Sequence, residues 1–254
     1  MSRPIALITG PTAGIGACFA HQLAQKGYDL VLVARDESRL RALAAEVEKE
    51  YDVDTEVLVA DLADREALAA VERRVADREQ PVSLLVNNAG FGHKRPFLEN
   101  TVEDEQQMLD VLVTAVLRLT HAALGAMVAR GEGAIINVSS VAGFLPRGTY
   151  SAAKAYVTSL SEWADLTYRD QGVRVMALCP GFTKTEFHER MDVSRDSAPA
   201  WMWLEADRLV ADALADLEKG RRVSVPSKRY KAITGVVRYT PASVLTRLQG
   251  LGRR

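Results

Sequence analysis

Short runs of unbroken apolar residues recur along this chain, each followed by a longer stretch with helical spacing. Residues 5–9, 30–34, 56–60, 83–87, 134–139 and 173–178 read as strands, with a short one at 223–226. A strand with one face in water alternates apolar and polar residues; these do not. They must be buried on both faces, as in a parallel sheet covered by helices on each side. The intervening segments 15–26, 37–51, 64–78, 101–130, 151–166 and 205–219 read as helices. No linker, repeat or low-complexity break interrupts the alternation. The expected fold is α/β, a doubly wound parallel sheet of about seven strands, in a single domain spanning 1–254.

Composition narrows the class. The chain has 254 residues, 48% of them apolar, and a formal net charge of −1, which argues against general nucleic-acid binding. The charge is uneven: residues 221–254 hold nine Lys or Arg and no Asp or Glu. Cys18 and Cys179 are far apart, without metal spacing, as buried thiols of a reducing compartment would be. The four histidines show no ligand spacing, so no metal is expected. No signal peptide is read at the N-terminus, and no run approaches the ~18 apolar residues of a spanning helix. Cytoplasm is the expected compartment.

The first strand ends in Thr9-Gly10-Pro11-Thr12-Ala13-Gly14-Ile15-Gly16 and passes directly into a helix. Glycines permit a tight turn and close backbone approach, and a helix N-terminus offers N–H groups to a pyrophosphate. The predicted site is therefore a dinucleotide site in a Rossmann-like fold. At the end of the second strand, NAD-binding chains usually present a carboxylate to the ribose. Here Ala34 is followed by Arg35, whose guanidinium suits a 2′-phosphate. That favours NADP over NAD, although Asp36 could still take the ribose.

Tyr150 and Lys154 lie four apart on a stretch that reads as helix, so their side chains share a face. A nearby ammonium favours the phenolate, and the pair is expected to form a proton donor tuned toward neutral pH. Proton delivery of that kind is what a carbonyl reduction needs.

Together these residues resemble the short-chain dehydrogenase/reductase family, in particular its NADP-dependent ketoacyl and hydroxysteroid reductases. The glycine turn matches its T-G-x-x-x-G-x-G. Asn87-Asn88-Ala89-Gly90, Ser139-Ser140, Tyr150-x-x-x-Lys154 and Pro180-Gly181-x-x-x-Thr185 match the remaining signatures in order. The resemblance implies cofactor contacts from Gly10, Thr12, Gly14, Ile15, Gly16, Asp61, Leu62, Asn88, Ala89, Gly90, Pro180, Gly181 and Thr185. By the same resemblance Tyr150 is the acid/base, Lys154 holds the nicotinamide ribose, and Ser140 bonds the substrate carbonyl. Ser139 competes for the serine role, but strand alternation turns it toward the sheet.

Two departures stand out. Leu112 in Asp110-Val111-Leu112-Val113-Thr114 stands where the family keeps an Asn that helps to hold a water linked to the Lys. An altered but not abolished proton relay is the expectation. The connection between Ser140 and Tyr150 is also shorter than the family's, which reshapes that wall of the pocket.

Residues 185–205 correspond to the family's substrate cover and end in Trp201-Met202-Trp203. These large apolar residues suit an apolar substrate or anchor the segment to the body; both readings stand. The tail 221–254 places Tyr230, Ile233, Val236, Val237 and Tyr239 at helical spacing among basic residues. Contact with the body or another subunit is the favoured reading, with peripheral membrane or acyl-carrier contact as the other. The expected activity is NADPH-dependent reduction of a ketone or 3-oxoacyl-type substrate, by a homodimer or homotetramer. The alternative is an NADP-binding sensor or scaffold without turnover.

Overall fold

A computed structural model describes residues 3–185 and 199–239, with side chains as far as Val236. Residues 186–198 of the expected cover, and the tail beyond 239, lie outside the described residues. So do His188 and the apolar positions Val244, Leu245 and Leu248.

The chain runs β1 (Ile5–Thr9), α1 (Gly14–Gln25), β2 (Asp29–Ala34), α2 (Glu37–Tyr51), β3 (Thr55–Val59), α3 (Arg65–Val75) and β4 (Val82–Asn87). It continues with α4 (Val102–Leu109), a π-helical turn (Asp110–Ala115), α5 (Val116–Arg130) and β5 (Gly133–Val138). Then come α6 (Thr149–Tyr168), β6 (Val173–Leu178), α7 (Ala206–Glu218), β7 (Val223–Ser224) and α8 (Lys228–Tyr239). The strands form one parallel sheet in the order β3-β2-β1-β4-β5-β6-β7. The order reverses between β1 and β4, so a crevice opens there at the strands' carboxyl ends.

Burial explains the unbroken apolar runs. On one face, Ala6, Ile8, Leu30 and Leu32 pack with Phe19 and Leu23 of α1, Leu40 of α2 and Leu209 of α7. On the other, Leu7, Val31, Leu85 and Ile135 meet Leu68 of α3, Leu119 of α5 and Ala164 of α6. Asp165, 1% exposed, pins α6 to the sheet: one oxygen accepts the Val175 N–H at 3.1 Å, and the other meets Arg169 and Arg222.

The structure adds to two expectations. The helix expected over 101–130 is present as Val102–Arg130 but carries a π turn within it, which accommodates one extra residue. Val111 consequently lines the crevice while Leu112, its neighbour, is fully buried. The continuous helical run Val102–Arg130 also is long and apolar enough to cross a membrane by length and composition, with a mean hydropathy of 1.8 in its best window. Half of that window is buried, and the run packs on β4, β5 and α3, as a core helix does.

Candidate active site

A cavity of about 540 Å³ occupies the crevice. At one end lies the glycine turn, with Gly10 at φ +65° and Gly14 at φ +54°, backbone that only glycine adopts without strain. A Cβ at Gly10 would come within 2.9 Å of Ala89 Cα, and one at Gly14 within 2.8 Å of Thr185 Cβ. Three strand-end loops therefore meet at backbone distance. Asn88 locks two of them together: its Nδ2 donates to Thr9 O at 3.0 Å and Gly10 O at 2.9 Å, while Thr9 Oγ1 accepts from Asn88 N and Ala89 N. Gly16 does not line the cavity. A Cβ there would sit 2.1 Å from Gly10 O, so its part is to let α1 rest on the turn.

Helix α1 starts without a side-chain cap at Ala13 and without an acidic residue in its first turn. Its leading residues Gly14 and Ile15, with Thr12 and Ala13 before them, border the cavity. Unclaimed N–H groups and a positive helix end fit an anionic diphosphate.

Next along the cavity, Arg35 Nη1 lies 3.7 Å from Asp61 Oδ2, both side chains well exposed. Leu62 completes that wall. Asp36, the alternative ribose ligand, is already engaged. Its Oδ1 accepts Arg39 N at 3.0 Å and Ser38 Oγ at 2.8 Å, capping α2, and these bonds hold its pKa below the usual carboxylate value.

At the far end, Ser140 leaves β5 and caps a short 3₁₀ turn, Val141–Phe144, by accepting Ala142 N at 3.1 Å. Tyr150 enters from the first turn of α6, and its phenol is hydrogen-bonded to Ser140. One turn on, Lys154 is 5% exposed; its Nζ donates to Val138 O at 2.7 Å and lies 5.7 Å from the Tyr150 ring centre. Ser139 turns inward instead, donating to Lys154 O at 2.7 Å and bonding Thr158 Oγ1 at 2.8 Å. Gly143 lets the trimmed loop lie on α6, since a Cβ there would be 2.9 Å from Ala155 N. Leu112 fills the space behind Gly90, where a Cβ would be 2.8 Å from its Cδ2.

The proton energetics differ from the sequence expectation. Burial pushes the Tyr150 phenol up to about 12, against which the Ser140 hydrogen bond pulls only weakly. Burial brings Lys154 down to about 8. Both groups are taken out of water together, which disfavours the phenolate and the ammonium alike. The Tyr150 phenol therefore keeps its proton at neutral pH.

The profile of the short chain dehydrogenases matches residues 4–195. The chain belongs to the short-chain dehydrogenase family. Sulfoacetaldehyde reductase 2 of Chromohalobacter salexigens is 33% identical over 218 residues, 84% of this chain and 86% of the relative. Very-long-chain 3-oxoacyl-CoA reductase of Homo sapiens is 32% identical over 188 residues, 71% of this chain and 60% of the relative. Hydroxysteroid dehydrogenase-like protein 1 of Gallus gallus is matched over 66% of its length, so the chain spans roughly two thirds or less of several curated relatives. Among solved structures, a short-chain dehydrogenase from Sphingobium yanoikuyae in complex with NADPH shares 38% identity at a TM-score of 0.85, covering 92% of this chain and 93% of that one.

In this member of the family the cavity also takes in residues that sequence reasoning passed over. Arg39 lines it beside Arg35, four residues on, and the Arg-Asp-x-x-Arg spacing at a helix start was the available signal. Phe91, Gly92, Gln107, Val111 and Thr183 are lining residues with no local signature. Away from the cavity, His21 of α1 and Glu46 and Glu50 of α2 bring potential ligand atoms within 4.8 Å of one another. Their juxtaposition arises between two helices, so spacing along the chain could not show it.

Proposed function

We propose that this chain is an NADPH-dependent reductase of a carbonyl compound, a ketone or 3-oxoacyl-type substrate of apolar character. The observation that carries the reading is one cavity with two equipped ends. Ser140, Tyr150 and Lys154 converge at one, and an uncapped helix start with Arg35 and Arg39 forms the other. The NADPH-bound neighbour supports the cofactor, and the 3-oxoacyl-CoA reductase relatives and a bulky-bulky ketone specific alcohol dehydrogenase from Comamonas testosteroni support the substrate class.

NADPH, when bound, supplies hydride to the carbonyl carbon. Negative charge then grows on the carbonyl oxygen, and hydroxyl groups aimed at it lower the barrier. Ser140 contributes one hydrogen bond. Tyr150 contributes another and passes its proton to the oxygen, completing the alcohol. Lys154, held by Val138 O, offers positive charge to the phenolate left behind. Gly10, Gly14, Ile15, Asn88, Ala89, Gly90, Asp61 and Leu62 shape the nucleotide side, and Pro180, Gly181 and Thr185 the nicotinamide side. Arg35 and Arg39 take the 2′-phosphate that Asp36, committed to its helix, does not oppose.

In this reading residues 1–254 form one oxidoreductase domain that self-associates in the cytoplasm. Exposed Leu117 of α5 and Trp163 and Leu166 of α6 support the self-association. The deciding experiment follows NADPH oxidation with 3-oxoacyl thioesters, keto steroids and small quinones, on the native chain and on Tyr150→Phe. Substrate-dependent oxidation that disappears in the variant is the expected result. NADPH binding without consumption across the panel would instead identify a sensor.

A further inference from the structure

Tyr230 sits in the first turn of α8, a helix that is basic and largely exposed, yet it is only 2% exposed itself. Its hydroxyl accepts the Phe182 N–H at 3.0 Å and donates to Met202 O at 2.9 Å. Its ring lies directly over Gly181, where a Cβ would come within 2.1 Å of Cζ. Tyr230 belongs to an apolar cluster with Ala177, Cys179 and Val225, against which Val141 and Phe144 pack from the turn that Ser140 caps.

The two segments joined by that hydroxyl are the two sides of one neck. Leu204 N donates to Phe182 O at 2.8 Å, Lys184 N donates to Leu204 O at 2.9 Å, and Thr183 and Leu204 form a parallel bridge. Arg229, next to Tyr230, adds a hydrogen bond to Trp201 O, with its guanidinium 6.0 Å from the Trp201 ring. Pro180, Gly181, Thr183 and Thr185 from this neck line the cavity together with Tyr150 and Lys154. At Tyr230, therefore, the basic tail is a contact with the body of the protein.

We infer that Tyr230 is a positioning residue through which the C-terminal helix holds the 180–185 strap in place as the nicotinamide-side wall of the cavity. The ring fixes the height of the strap at Gly181, where no side chain intervenes. The hydroxyl fixes its orientation, because it bonds the Phe182 N–H and the Met202 carbonyl at once. This inference rests on the reductase reading for its kinetic readout, whereas its binding readout stands without it.

The test compares the full chain with Tyr230→Phe and Gly181→Ala, titrating NADPH by fluorescence well below the melting temperature. Removing the hydroxyl should weaken NADPH binding about five-fold, the change corresponding to one net hydrogen bond, and should raise KM for the reduced carbonyl while kcat stays within about two-fold. Gly181→Ala should act alike, because the new methyl displaces the ring. The double variant should then be no weaker than the worse single one, as for residues that act as a unit. A lower melting temperature with NADPH affinity and KM unchanged would overturn the inference in favour of a purely structural anchor, and so would additive losses. A native chain that binds NADPH but reduces no carbonyl would sink the proposed function and leave the affinity comparison on Tyr230 intact.

Discussion

Between Thr9 and Gly16 the chain makes the nucleotide end of its cavity in one short run, mostly from backbone groups. The reaction end gathers Ser140, Tyr150, Lys154, Gly181 and Tyr230 from a strand end, a helix, a loop and the C-terminal helix. The first arrangement is set by local geometry: positive φ at Gly10 and Gly14, and an uncapped helix start. The second depends on packing between distant segments and on how much water that packing removes. Errors should therefore act differently at the two ends, through the fold at the first and through chemistry or affinity at the second.

The sharpest test of that contrast is Tyr150→Phe. On the proposed function, in which Tyr150 donates the proton, the variant should cut NADPH-dependent carbonyl reduction by about 1,000-fold with NADPH affinity within about two-fold, read by steady-state rates and fluorescence titration. A comparable loss of affinity would erase the distinction between the ends.

The complementary change is Gly16→Ala. Its methyl would meet Gly10 O and Asn88 Nδ2, and the obstructing carbonyl belongs to backbone. About 3 kcal/mol of stability should be lost, which for a chain of this size lowers the melting temperature by roughly 6–12 °C. An unaltered melting curve would show that the turn is softer than its contacts imply.

A smaller effect is expected from Arg35→Ala, which should reduce the preference for NADPH over NADH by about 10–30-fold, in keeping with one charge-assisted hydrogen bond. Equal losses for both cofactors would remove Arg35 from 2′-phosphate selection.

The smallest effect is expected in stability at Lys154. Its folded pKa of about 8 lies below the ordinary 10.5, so between these values the unfolded chain binds more protons and stability rises with pH. Below pH 8 the buried ammonium opposes folding in full; above 10.5 that cost is gone. Lys154→Met should abolish turnover yet melt a few degrees higher than the native chain at pH 7, with the gap narrowing toward pH 10. A gap that stays constant with pH would place the charge in contact with water.

The sequence displayed what local rules govern. The strands follow from burial on both faces, and the helix over 37–51 matches α2, Glu37–Tyr51, because Asp36 caps it and its apolar positions share one stripe. The glycine turn was legible because its spacing is consecutive. Arg39 was hidden by its ordinary place on a charged helix; Tyr230 stood among the tail's apolar positions, read as a contact with the body or another subunit, but the segment it would hold was not legible. The upward shift of Tyr150 was invisible for a different reason: spacing shows that a Lys is near, not that both groups are dehydrated. Leu112 shows the same limit. Its substitution for a polar residue was plain, but its complete burial behind Gly90 was not.

The π turn at Asp110–Ala115 gives this molecule a place where chain length can be edited. Deleting one residue there would restore ordinary helical rings without opening a gap in the ladder of backbone bonds. With α5 seated on the sheet, the change would fall on α4, which would turn by about 100° around its own axis. Gln107 would swing off the cavity rim and Met108 out of its packing with Leu112. A single-codon loss would thus keep the helix while changing which side chain of α4 faces the cavity.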